Sequence, residues 1–246
     1  MIDTVLFDLD GTLLPMDQDL FVQTYLGLLA DYLEPAGYDP KRLVRTVWQG
    51  TGAMMKNDGT RTNEEVFWEV FRQAYGQKAD TDRELVDEFY AGEFANARRV
   101  CGYAPEAAEL IAELKARGIR LILATNPLFP RMATLQRIRW AGLNPQDFEL
   151  VTTYENSCFC KPNPAYFREI LEKTGLTPDR CLMIGNDARE DLAAAKLGME
   201  VFLLEEGLLN REALEEKPCR TGSYEDLKQF LREMLDSPLK TEENAG

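Results

Sequence analysis

The chain has 246 residues, with 42 acidic against 28 basic side chains and a formal net charge of −14. No run of Lys or Arg offsets that charge, so a nucleic-acid backbone would be repelled. No apolar stretch approaches the ~20 residues that span a bilayer. Histidine is absent, which removes Ser-His-Asp hydrolases, histidine phosphatases and His-ligated metal hydrolases together.

Two further classes fall away on pattern. The nucleotide-binding pattern GxxxxGK(S/T) needs Gly-Lys, which never occurs, and no cysteine has an arginine six residues on, as a thiol phosphatase loop would. The five cysteines are an odd number and suit a reducing cytosol better than a disulfide framework. Cys158 and Cys160 make one Cys-x-Cys pair with no second pair at a ligand-like spacing. The acidic start lacks the basic segment and cleavage site of a secretory leader, so a cytoplasmic protein is expected. At 45% hydrophobic residues the chain can bury one sizeable core and a smaller second one.

In chain order, the run TVLFD at 4–8 reads as a buried strand. Four amphipathic helical patterns follow, over 20–33, 41–49, 63–75 and 82–97, with no strand among them. Alternation then begins. Pro105 opens a helix that Gly118 closes, and strands are expected over 120–125 and 149–153. Pro164 opens the next helix and Gly175 closes it. A strand over 181–185, a helix over 188–197 capped by Asp187, and a strand over 200–204 complete the pattern. This spacing predicts an α/β fold: a Rossmann-like, doubly wound parallel sheet formed by 1–15 and 100–236. The helical stretch 16–99 is expected to be a separate inserted domain, and the polar residues 237–246 a flexible tail.

Open parallel sheets bind ligands at the carboxyl ends of their strands. There the sequence places Asp8 and Asp10, then Thr125 and Asn126, then Lys161 a short loop after the third strand, then Asp187 and Asp191. Each has an ordinary alternative. Asp10-Gly11 and Thr125-Asn126-Pro127 make good turns, Lys161-Pro162 a loop start, and Asp187 and Asp191 a helix cap. The conjunction is what argues for chemistry.

DLDGT at 8–12, Thr125-Asn126 after LILA, Lys161-Pro162 and GNDARED at 185–191 resemble, in order, the four motifs of the haloacid dehalogenase (HAD) superfamily. The helical insert is similar to that superfamily's type-1 cap, as in phosphoglycolate-phosphatase-like members, and the resemblance covers nearly the whole chain. It implies a Mg2+-dependent phosphatase acting on a small phosphorylated metabolite. Asp8 would be the nucleophile, ionised near neutrality without a histidine base, and would form an aspartyl-phosphate. Asp10, one of a close like-charged pair, would hold a proton for the leaving alkoxide. Gly11 would let the backbone approach the phosphoryl group. The implied metal ligands are Asp8, the Asp10 carbonyl and Asp187. Lys161, Thr125 and Asn126 would serve the phosphoryl oxygens, and Asp191 would orient Lys161 or a metal-bound water. Asn186 stands where many relatives have an acidic residue or glycine.

Dehalogenase relatives lack the second aspartate of the first motif, so Asp10 favours phosphoryl chemistry. A phosphomutase shares all four motifs and stays open as an alternative, as does a non-catalytic scaffold. In the insert, the segment 50–62 offers Lys56 and Arg61 between glycines as substrate-binding residues, with plain connecting turns as the other reading. The two chain crossings, 14–17 and 97–103, are expected to act as hinges. Oligomeric state is left open.

Overall fold

Alternation along the strands sets the two faces of the sheet. In β1 (Thr4–Phe7), every residue is buried; Val5 and Phe7 belong to one hydrophobic cluster and Leu6 to the other. The structure, a computed structural model, describes residues 2–216 and 219–236. After β1 the chain enters an all-helical insert of α1 (Gln18–Leu33), α2 (Pro40–Met54), α3 (Asn63–Tyr75), α4 (Lys78–Thr81) and α5 (Arg83–Ala91), then 3-10 turns over Glu93–Val100. It returns through α6 (Pro105–Ala116), β2 (Arg120–Leu123), α7 (Arg131–Trp140), β3 (Leu150–Val151) and α8 (Pro164–Thr174). β4 (Cys181–Gly185), 3-10 turns over Asp191–Leu197, β5 (Glu200–Leu204), α9 (Ala213–Glu216), β6 (Arg220–Gly222) and α10 (Tyr224–Asp236) complete it.

The sheet is parallel throughout, in the order β3-β2-β1-β4-β5-β6. Helices α6, α7 and α10 pack on the Val5/Phe7 face. α8 and the 191–197 turns pack on the Leu6 face. The expected doubly wound α/β sheet therefore forms. Strand order reverses beside β1, because β2 and β3 lie on one side of it and β4 to β6 on the other. Phe7 registers with Leu123 and with Ile184, so the residues that follow all three strands emerge at one edge.

Several elements differ from expectation. β3 pairs over two residues only, and β6, a three-residue edge strand with a polar sequence, gave no apolar run to read. The 188–197 segment forms 3-10 turns from Asp191 and no α-helix. The 82–97 pattern breaks at Gly92 between α5 and the 3-10 turns. α2 runs on to Met54, through Gly50 and Gly52, where a loop was expected. Packing decides this last case: a Cβ on Gly50 would meet the Phe67 ring of α3 at 2.6 Å, so the glycine allows close helix contact. The expected tail 237–246 lies outside the described residues.

The insert does not float free of the sheet. Tyr25 meets Phe129, from the loop after β2, at 5.2 Å between ring centroids, and Phe94 stacks on Trp140 of α7 at 5.2 Å. One hydrophobic cluster runs from these rings to Val5 and Phe7. The two crossings lie side by side, with Met16 bridged to Cys101 and the Gly102 N–H donating to the Pro15 carbonyl at 2.6 Å. Cys160 is buried with Met54, Val66 and Tyr154 in a small third cluster. Among the described residues no helix is long and apolar enough to cross a membrane.

Candidate active site

Asp8 leaves β1 with its N–H still bonded to the Ile184 carbonyl at 2.8 Å, so its side chain inherits the position of the strand end. One carboxylate oxygen, Oδ1, accepts from Lys161 Nζ at 2.9 Å. The other, Oδ2, accepts from Thr12 Oγ1 at 3.3 Å. Lys161 is fully buried and also donates to Asp191 Oδ1 at 2.6 Å. One ammonium thus bridges two buried carboxylates. Burial alone would push its pKa down, but Asp191 and Asp8 more than offset this and raise it well above the ordinary lysine value. The Asp8 carboxyl is raised from its usual range by burial, with Lys161 pulling it down and Asp10 pushing it further up.

Asp191 is held in turn by the loop after β4. Its Oδ2 accepts the N–H groups of Asn186 at 3.1 Å and Asp187 at 3.0 Å. A Cβ on Gly185 would overlap that carboxylate; the glycine is what admits Asp191 beneath the strand end. Gly11, at φ +85°, adopts the left-handed conformation and abuts the Asn186 amide, which a Cβ would overlap. Asn186 has a structural part here, accepting from Thr12 Oγ1 at 3.1 Å and donating to the Gly207 carbonyl at 2.9 Å.

Asp8, Asp10, Thr125, Asn126, Asp187 and Asp191 line one cavity of about 150 Å³. All six are residues that the sequence put at strand ends. Lys161 reaches the cavity only through Asp8 and Asp191. Lys56 and Arg61 do not line it: both are exposed, and the segment that holds them packs Gly59 against the Phe159 ring. Asn57 ties that segment internally, donating to the Arg61 carbonyl and to Asn63 Oδ1, each at 2.9 Å.

Two residues carry roles that the sequence did not signal, Glu190 in the cavity lining and Arg137 behind it. Arg137 of α7, wholly buried, pairs through Nη1 with Asp10 Oδ2 and lies over the Phe129 ring at 4.4 Å. Its position in the QRIRW run, among other arginines, gave no hint of burial. Glu190 accepts from Asn126 Nδ2 at 3.0 Å on both oxygens. Burial, with Asp191, Asp187 and Asp8 adding and Lys161 opposing, pushes Glu190 up to about 8.

The donor set can be tested against a divalent cation. Among the described residues no three carboxylate or thiol side chains close on a single point. Magnesium does not demand that, since it uses one or two carboxylates and keeps several waters. Asp8 and Asp187, which follow the adjacent strands β1 and β4, supply hard oxygens to the same cavity. Asp10 Oδ1 and Asn126 Oδ1 are buried acceptors without a donor, a state that favours a cation or a donor-bearing ligand between them. Asp187 Oδ1 is steadied by the N–H groups of Arg189 and Glu190, and Asn210 Nδ2 reaches both its oxygens at 2.9 Å. The residues fit such an ion.

The sequence matches the family model of haloacid dehalogenase-like hydrolases over residues 2–198. The chain belongs to the haloacid dehalogenase-like hydrolases. Among curated relatives, it is 30% identical to a phosphoglycolate phosphatase of Yersinia pestis over 192 residues, covering 78% of this chain and 75% of that one. It is 31% identical to a phosphoserine phosphatase of Thermus thermophilus, covering 70% of this chain and 65% of that protein, slightly under two thirds of its length. Among solved structures, a 2-haloacid dehalogenase of Pseudomonas syringae aligns at a TM-score of 0.59 and 20% identity, covering 95% and 100% of the two chains. At that identity the likeness is one of fold. The family resemblance read from the four motifs holds, and the relatives' names support the expected class, a HAD-type phosphoric monoester hydrolase.

Proposed function

We propose that this HAD hydrolase is a Mg2+-dependent phosphatase that cleaves a small phosphorylated metabolite through an aspartyl-phosphate on Asp8. The observation that carries the reading is the pairing of a buried, cavity-facing Asp8 with Lys161 at 2.9 Å beside a second aspartate. A carboxylate whose charge is held by a buried ammonium is a competent nucleophile that needs no histidine. Asp8 attacks phosphorus, and the leaving alkoxide takes a proton from Asp10. Water then cleaves the acyl-phosphate, with Asp10 receiving its proton. Arg137 holds Asp10 Oδ2, which leaves the unpartnered Oδ1 to meet the leaving oxygen.

Thr125 and Asn126 offer donors to the phosphoryl oxygens, and Gly11 gives the loop the turn it needs. Asp191 positions Lys161. Asp8, the Asp10 carbonyl and Asp187 would hold magnesium, which supplies positive charge against the meeting of carboxylate and phosphate. The reading divides the chain into an α/β core, 1–15 and 100–236, and a helical cap, 16–99, and the five free cysteines support a reducing, cytoplasmic setting.

The test is phosphate release from a panel of phosphorylated metabolites with Mg2+, wild type against Asp8→Asn. Turnover is expected to vanish in the variant, whose fold is kept because an amide is nearly isosteric. It should also vanish in excess chelator and not return with calcium, which prefers more ligands and looser geometry. Isomerised product without free phosphate would turn the assignment to a mutase.

A further inference from the structure

A second cavity adjoins the catalytic one. It occupies about 110 Å³ between the insert and the loops after β2 and β3, and Val22, Leu128 and Phe129 belong to the linings of both. None of its seventeen lining residues is charged. Its polar atoms are largely turned on one another: Tyr25 and Tyr90 hydroxyls meet at 3.2 Å, and the Trp68 indole N–H donates to Tyr154 at 3.4 Å. What remains for a ligand is aromatic and aliphatic surface.

From this we infer that the substrate is a phosphate monoester whose alcohol part is apolar, of about the size of a benzene ring or a short branched alkyl chain. The inference rests on the phosphatase reading for the phosphate end of the molecule. The volume makes benzene the upper limit of size, since an apolar cavity of roughly 150 Å³ takes up benzene and this one is about 110 Å³. The polarity follows from the lining. A carboxylate or ammonium on the leaving group, as in phosphoglycolate or phosphoserine, would enter the cavity without a counter-charge and lose its hydration. An alkyl or aryl group would gain by leaving water. Val22, Leu128 and Phe129 line both cavities, so an ester held beside Asp8 meets the apolar space at these three side chains.

Two measurements test this. The first is kcat/KM with Mg2+ along methyl, ethyl, propyl and butyl phosphate, with 2-phosphoglycolate and phosphoserine alongside. A rise of about fourfold per methylene is expected, the worth of a buried CH2, with both charged esters below propyl phosphate. Val86→Phe, which fills the cavity, should flatten the rise. Val86→Ile, a smaller addition, should flatten it in part and serves if the larger ring does not fold. A flat series, or a preference for either charged ester, overturns the inference. The second measurement needs no turnover: benzyl alcohol titrated against the tryptophan fluorescence of the wild type, where Trp48 and Trp68 line the cavity. Saturable quenching that Val86→Phe abolishes is expected, and its absence overturns the apolar pocket. Saturable quenching with no ester hydrolysed would instead sink the phosphatase reading and leave the pocket standing.

Discussion

The buried Arg137 and the part-exposed Asp10 form a salt bridge that joins α7 to the loop after β1 across 127 residues of chain. The same guanidinium covers Phe129, so one side chain connects the carboxylate beside the nucleophile to the wall of the apolar cavity. Removing one partner of a fully buried pair costs ~3–5 kcal/mol, and the partial exposure of Asp10 puts this pair below that range. Arg137→Met should therefore lower stability by about 2 kcal/mol in urea unfolding and reduce phosphate release at least tenfold. Arg137→Lys, which keeps charge but not the planar fork, should recover more stability than activity. In an Asp10→Asn background the loss from Arg137→Met should shrink. Additive losses in that double-mutant cycle would separate the two residues.

Gly185 and Gly27 should respond in opposite senses to the same substitution. Gly185→Ala drives a methyl group into the Asp191 carboxylate, and is expected to cost about 3 kcal/mol or more and to disturb Lys161. Gly27 lies exposed within α1, with nothing within 4 Å of an added Cβ. Gly27→Ala should stabilise by ~0.5–1 kcal/mol through helix propensity. Equal effects on thermal midpoints would mean that the packing at the β4 end has been misread.

The pH dependence of the metal-free protein follows from three raised carboxyls at the site, with Glu64 and Asp87 of the insert raised by burial in the same sense. Glu190 is pushed up to about 8 and Asp191 to about 6, both chiefly by burial, and Asp8 is raised as well. Unfolded carboxyls titrate near ~4, so between that value and pH 8 the folded chain binds more protons than the unfolded one. Stability then rises as pH falls from 8 toward 5. Below that window the sign reverses, because Glu149, held down by its hydrogen bond to Arg120, must be protonated. With chelator present, the melting temperature at pH 6 should exceed that at pH 8 by roughly 3 °C or more. Glu190→Gln should remove most of the change between pH 6.5 and 8.5. A wild-type profile that is flat, or falls toward pH 6, contradicts the burial argument.

Lys56 and Arg61 were expected to meet the substrate, with plain connecting turns as the other reading, and neither lines the catalytic cavity. Both are exposed, on a segment seated against Phe159 and away from the catalytic cavity. Lys56→Ala and Arg61→Ala should leave KM within about twofold of wild type on any phosphate ester, an exposed substitution being close to neutral. A KM raised tenfold on metabolite esters alone would bring these residues back to the leaving group.

The sequence by itself determined the first five strands of the sheet and the polar residues at its carboxyl edge. Strands such as TVLF and CLMIG are buried at every position because both faces are covered, and period, length and flanking caps suffice to read them. Asp8, Thr125 and Asp187 follow from strand ends alone, since parallel register carries the residues after Phe7, Leu123 and Ile184 to one edge. Arg137, Glu190 and the apolar cavity could not be read this way. Arg137 is a basic residue in a basic helix, and only the packing of α7 against Phe129 and the loop after β1 buries its charge. Glu190 looks like one more acid in a helix-capping run until Asn126 crosses from β2 to meet it. The end of α2 depended on a contact with Phe67 that no local pattern encodes. Local propensity and periodicity act along the chain, whereas the burial of a charge, its partner and the shape of a cavity are relations between segments that only the tertiary structure brings together.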